Sequence, residues 1–177
     1  MTAVAIGPVD AAAYRAAIPE LTELLVDAVD GGAGVNFVAP LDPALASEWW
    51  TARIPLVESG SITAVLARDP ERGDRLVGCV LLIRAAQQNG PHRADISKLL
   101  VHSSARRRGI ARELMSTIEG IAKADGRWLL VLDTVTGSAA DTAYRAFGWQ
   151  PVGTIPDFAL LTNGVPGPAT FFYKDLR

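Results

Sequence analysis

The sequence of 177 residues is short of several things, and each shortage removes a class of protein. It has one cysteine, Cys79, set inside an apolar run, so neither a disulfide framework nor a cysteine metal site is expected. Two histidines, His92 and His102, both in polar turns, leave no metal-ligand spacing anywhere. No apolar stretch approaches the length of a membrane span, and the first ten residues lack a basic leader, so a cytoplasmic protein without a membrane anchor is expected. The net charge of −2 gives no general affinity for nucleic acid. The glycine-rich stretch 30–40, DGGAGVNFVAP, has no Gly-Lys-Ser/Thr ending, which excludes a nucleotide P-loop there. What the chain does have is apolar residues, 49% of the total, enough for one filled core and few for two. A single domain over residues 1–177 is expected.

One stretch stands out, RADISKLLVHSSARRRGIARELMSTIEGIA at 93–122. An extended apolar run turns through His102-Ser103-Ser104, passes three arginines and a glycine, and enters a helix with Ile110, Leu114, Ile118 and Ile121 at helical spacing. The first N–H groups of a helix lack partners within it and carry partial positive charge, so an anion placed there meets both needs. Gly109 lets a ligand approach the backbone. Arg106, Arg107, Arg108 and Arg112 add guanidinium groups suited to phosphate oxygens. A pyrophosphate fits this layout; a merely solvated basic turn is the plainer alternative.

Around this unit the chain reads as follows. A short strand is expected at Val4–Ile6, ended by Gly7-Pro8, then a helix capped by Asp10 that Pro19 splits. A second helix opens at Asp42-Pro43 and runs through Trp49 and Trp50 towards Ser59. Adjacent tryptophans point about 100° apart, so either one packs while the other lines a pocket, or both pack. Strands Ile62–Ala67 and Leu76–Arg84 form an antiparallel hairpin. Further strands are expected at Ala94–Val101, Trp128–Thr134, Gln150–Ile155 and Ala169–Tyr173, with a short helix Ser138–Phe147 closed by Gly148. The strand–helix–strand unit from Ala94 to Thr134 crosses over right-handed and sets its strands side by side in a mixed sheet covered by helices. On strict alternation Asp95, Ser97 and Leu99 share one face of their strand, and Ile96, Lys98 and Leu100 the other.

The run Arg106-Arg107-Arg108-Gly109-Ile110-Ala111 resembles the Arg/Gln-x-x-Gly-x-Gly/Ala signature of the GNAT N-acetyltransferases. Ala140, Tyr144, Gly148 and Trp149 resemble that family's Ala-x-x-x-Tyr-x-x-x-Gly-aromatic helix. RADISKLLV, LDTVTGSAADTAY and PATFFYKDL are more narrowly similar to the tabtoxin-resistance type. The resemblance implies an α/β (α+β) fold, a mixed and mostly antiparallel sheet of six to seven strands with helices on both faces. It implies acetyl-coenzyme A as acetyl donor and no metal. Leu99, Leu100 and Val101 would offer backbone groups to the pantetheine arm. Arg106 to Ala111 would cradle the pyrophosphate with Arg112 nearby, and Tyr144 would reach the coenzyme sulfur. Gly137 and Ser138 stand where many relatives carry an asparagine that contacts the cofactor.

Acetyl transfer to an amine needs a base for the amine proton, a donor for the carbonyl oxygen and an acid for the leaving thiolate. Tyr144 stays protonated at neutral pH and suits the acid role; otherwise it is a tyrosine packed at the core edge. Asp133, at the carboxyl end of its strand, is the favoured base, or else it braces the turn that follows. Asp95 is the rival base, and an N–H near Leu100 the simplest oxyanion donor. The expected partner is a small amine-bearing molecule, reached through a pocket built from the first two helices, the loop 31–40 and the region 158–168. The resemblance also raises a toxin- or antibiotic-resistance role. A protein or peptide acceptor, and a non-catalytic acyl-coenzyme-binding module, are the alternatives; a homodimer is compatible with all three.

Overall fold

The computed structural model describes residues 3–177. Seven strands form one sheet in the order β1-β2-β3-β4-β5-β7-β6. They are β1 (Ala5–Val9), β2 (Ile62–Asp69), β3 (Arg75–Arg84), β4 (Arg93–Val101), β5 (Leu129–Val135), β6 (Gln150–Leu160) and β7 (Pro166–Asp175). The β4–β5 pair alone is parallel among these neighbours, because the helix between them carries the chain back across the sheet. This is the mixed, mostly antiparallel architecture expected, with helices on both faces.

One face is covered by α1 (Ala11–Ala16), α2 (Ile18–Asp30), α3 (Pro43–Thr51) and α4 (Ile54–Glu58). Asp10 caps α1 by accepting the Ala13 N–H, and Pro19 sits in the first turn of α2, so the expected split occurs. Tyr14, Leu21, Leu24, Leu25 and Trp50 bury themselves here against Ala64, Leu66, Cys79 and Leu81. The other face is covered by α5 (Ile110–Ala124), whose Ile110, Leu114, Met115, Ile118 and Ala122 form one buried stripe. Gly78 on β3 permits the close fit, since a Cβ there would stand 3.1 Å from Leu114 Cδ1 and 2.9 Å from the Leu100 carbonyl oxygen. Behind α5, α6 (Ala139–Ala146) follows β5 and packs Tyr144 against the same core.

Several boundaries differ from expectation for physical reasons. β1 runs on through Gly7-Pro8 to Val9; it is an edge strand, where the missing proline N–H costs no ladder bond. The helix expected from Asp42 to Ser59 breaks near Ala52–Arg53, because Pro55 can only begin a new helix there. β6 and β7 are longer than expected, their hairpin absorbing two register shifts. All of β6 is exposed, including Val152, Ile155, Phe158 and Leu160.

The correction that matters most is on β4. An extra β4 residue enters between the pairs Leu81–Ser97 and Cys79–Leu100, and Lys98 takes a φ of +52°. Alternation therefore breaks. Ala94, Ile96, Leu99 and Val101 face α5, whereas Leu100 joins the core under α1–α4. Lys98 moves to that second face as well, the face that carries Asp95.

Candidate active site

β4 and β5 pair only at Arg93–Leu129, Ala94–Leu130 and Asp95–Val131. Beyond those pairs β5 stays bound to β7 and β4 to β3, so the strands part towards their carboxyl ends. The edge of β4 from Ile96 to Val101 that faces β5 is left without strand partners among the described residues. Leu99, Leu100 and Val101 lie on it. Such an edge is a template for any extended chain that carries amides.

Where this split begins stand two carboxylates, with a phenol on the opposite face of the sheet. Leu130 and Leu132 face α5, so Asp133 projects from the opposite face of β5, the one shared by Asp95. Burial raises both carboxyl pKa values above the ordinary range, and the charge of Asp133 adds to the rise at Asp95. Lys98 pulls Asp133 back in part. Tyr144 is 7% exposed and packs with ring centroids 6.0 Å from both Trp149 and Phe172. Burial first, and then the carboxylate of Asp133, hold its phenol protonated above its ordinary value. Ser138 caps the short helix that carries it, while Asp141 accepts from the Gly137 N–H at 2.7 Å and from Arg145 Nε at 2.8 Å. Thus Asp95 and Asp133 share one face of the sheet, and Tyr144 lies on the α5 face, near enough for the charge of Asp133 to act on its phenol.

Asp133 also lines a narrow cleft with Gly34, Asn36, Val135, Phe158, Leu160, Leu161 and Pro168. The loop 31–40 and the β6–β7 hairpin meet here, tied by the Ala39 N–H donating to the Thr162 carbonyl at 2.8 Å. A wider hollow of about 310 Å³ lies at the far sheet edge against β1 and β2, where Arg68 donates to the Asp74 backbone carbonyl and to the Glu20 carboxylate.

At the open end of the split, just past Val101, comes the basic turn. Gly109, at φ +81°, is the N-cap of α5 and no side chain caps that helix. Arg106 and Arg107 are exposed; Arg106 reaches back to the Val101 carbonyl and its Nη2 stands beside Gly31. Arg108 is committed elsewhere: its Nη1 donates at 2.6 Å to Asp69, which is 1% exposed, so it fastens the turn to the β2–β3 hairpin. The Arg112 guanidinium lies 4.8 Å from the centre of the Phe147 ring. Ile110 is buried and Ala111 half-buried at the helix start. Asp27 at the end of α2 accepts both the Ser103 N–H and its hydroxyl, at 2.8 and 2.6 Å, and locks the turn from the other side.

Residues 36–149 match the model of the acetyltransferase (GNAT) family. The chain belongs to the GNAT acetyltransferases. Solved structures of similar fold include an acetyltransferase from Salmonella typhimurium with its cofactor acetyl-CoA, 18% identical over 99% of this chain and 95% of that one, at TM-score 0.76. A phosphinothricin acetyltransferase from Sinorhizobium meliloti in complex with acetyl-CoA is 18% identical over 99% and 89%, at TM-score 0.79. A ribosomal-protein-alanine N-acetyltransferase from Brucella melitensis is 21% identical over 97% and 99%, at TM-score 0.77.

In this GNAT chain the histidines stand apart from the split. His92 stacks on Trp128 at 4.5 Å, and His102 accepts the Ser104 N–H within the turn. Trp50 is fully buried, and Trp49 is partly buried and packs against the same core. Residue-by-residue reading of the sequence passed over Lys98 and Arg53, which gather around Trp49. The signal for Lys98 was a lone charge inside the apolar run DISKLLV. No helix among the described residues is long and apolar enough to cross a membrane.

Proposed function

We propose that this GNAT acetyltransferase moves the acetyl group of acetyl-CoA to the amine of a small molecule. The observation that carries the reading is the β4–β5 split, with Asp133 coupled in charge to both Asp95 and Tyr144 beside it and an uncapped helix start just beyond the end of β4. The chain's residues fit the cofactor at three places. The open edge at Leu99, Leu100 and Val101 would pair with the pantetheine amides. Arg106, Arg107, Gly109, Ile110 and Ala111 would hold the pyrophosphate, with Arg112 beside them and Arg108 bracing the turn through Asp69. Tyr144 would stand near the sulfur.

Acetyl-CoA supplies a thioester-activated acetyl group. Asp133 takes the proton from the acceptor nitrogen, with Asp95 as the second acceptor on the same face; their raised pKa values make them better bases than free carboxylates. A backbone N–H near Leu100, freed by the bulge, holds the oxyanion. Tyr144 delivers the proton to the leaving sulfur, a task for which its protonated state suits it.

The loop 31–40 and the hairpin at 158–168, tied together beside Asp133, support a small acceptor over an extended peptide. The likeness of RADISKLLV to the tabtoxin-resistance type, and the phosphinothricin acetyltransferase of similar fold, support an amino-acid-like toxin or antibiotic and a resistance role. A peptide amine is the second reading, favoured by the similar fold of the ribosomal-protein-alanine enzyme. Mass spectrometry after incubation with acetyl-CoA, a panel of small amines and a peptide with N-terminal alanine separates these. An acetylated small amine is the expected product. Acetylation of the peptide alone would overturn the small-molecule reading, and acetyl-CoA binding with no acetylated product would point to a binding module.

A further inference from the structure

Beside the proton-transfer groups lies a second cluster, built on one indole. Lys98 is 5% exposed, and its Nζ lies 4.4 Å from the centre of the Trp49 ring and 6.0 Å from that of Phe37. The Arg53 guanidinium lies 3.2 Å from the centre of the same Trp49 ring, and its Nη1 donates to the Trp49 carbonyl at 2.6 Å. Two cations thus share one tryptophan. Among the described residues neither has a carboxylate within the 4.0 Å of an ion pair.

This arrangement is costly as it stands. A buried charge is ordinarily paired, and the attraction of an indole face recovers only part of the lost hydration. The two cations also repel, and burial together with the Arg53 charge pushes the Lys98 ammonium down to about 8. Asp133 acts on Lys98 only from beyond ion-pair distance, so what the cluster lacks among the described residues is an anion in contact with it.

The cluster borders the acceptor cleft. Phe37 meets Trp49 edge to face at 6.3 Å, and its neighbours Asn36 and Gly34 line the cleft with Asp133. The same face of the sheet is therefore negative at Asp133 and Asp95 and positive at Lys98 and Arg53, a dipolar site. A plain amine answers only its negative half, and a polyamine is repelled by the rest.

We infer that Lys98 and Arg53 form an anion subsite of the acceptor pocket, so that the acceptor bears a carboxylate or similar oxyanion as well as its reacting amine. The inference rests on the small-molecule acetyltransferase reading above and names the residues that select the acceptor. Arg53 offers a planar fork for the anion, and Lys98 a point charge behind it.

The test uses sets of three acceptors with one side chain each: an amino acid, its amide and the decarboxylated amine. The wild type should favour the acid over its amide in kcat/KM by on the order of 10-fold or more. Lys98→Met and Arg53→Gln should each erase that preference by raising KM for the acid alone, and Lys98→Arg should restore part of it. Binding of the free amino acid, read by tryptophan fluorescence in the absence of acetyl-CoA, should weaken in the same variants. Equal use of acid and amide by the wild type, with the ratio unmoved in both variants, overturns the subsite while transfer itself stands. Amino-acid binding lost in Lys98→Met without transfer to any amine keeps the subsite and overturns the reaction assigned to the site.

Discussion

At the scale of single residues, Lys98 shows how function and stability pull apart. Burial, with the charge of Arg53, lowers its pKa from 10.5 to about 8. Between those values the unfolded chain holds more protons than the native one, so stability rises with pH across the window. Below it the folded state bears the whole cost of a charged buried amine, roughly 3 kcal/mol. Lys98→Met should therefore melt higher than the wild type at neutral pH, with the advantage shrinking as the pH passes about 8. Calorimetry over that range reads it directly. A variant that melts lower at neutral pH would mean that the lysine is favourably held in the free protein. Neither Lys98 nor its partnership with Arg53 could be read from the strand pattern, because strict alternation sends Lys98 to the wrong face and only the bulge returns it. Arg108 is a related case. Nothing in the run RRRG separates an arginine that bonds a buried Asp69 in a distant hairpin from one that faces solvent.

At the scale of elements, the sequence was most informative where a local rule acts alone. Asp10, Asp42 and Ser138 cap the helices they announce, Pro19 divides one where it stands, and Gly109 opens α5. It was least informative where long-range pairing decides. Edge position lets β1 continue through Pro8, and pairing with β7 lengthens β6. That last strand presents Val152, Ile155, Phe158 and Leu160 to solvent, with only Asp157 charged along its length. An apolar edge of this kind invites a second copy. If such an edge does pair, sedimentation equilibrium should report a dimer for the wild type and a monomer for Val152→Glu with Ile155→Glu. A wild type that is monomeric at every concentration would contradict it.

At the scale of the whole molecule, one topological fact positions everything else: a parallel pair that parts after three residues inside an otherwise antiparallel sheet. The β2–β3 hairpin and the crossing of α5 that sets β4 beside β5 follow from the sequence pattern, and so does the place of Asp133 at the carboxyl end of its strand, whereas the order of the remaining strands does not. The depth of the split does not, since it depends on β5 holding to β7 while β4 holds to β3. The account stands or falls on whether Asp133 and Tyr144, beside that split, move protons. The deciding measurement is thiol release from acetyl-CoA, with the acceptor that the mass-spectrometric panel selects, by the wild type, Asp133→Asn and Tyr144→Phe, with acetyl-CoA affinity measured alongside. Each variant should lose on the order of 100-fold or more in kcat while keeping its affinity for the cofactor. The wild-type rate should also fall as the pH drops, starting above the range of an ordinary carboxylate because burial raises Asp133. Wild-type rates in both variants would contradict the central claim.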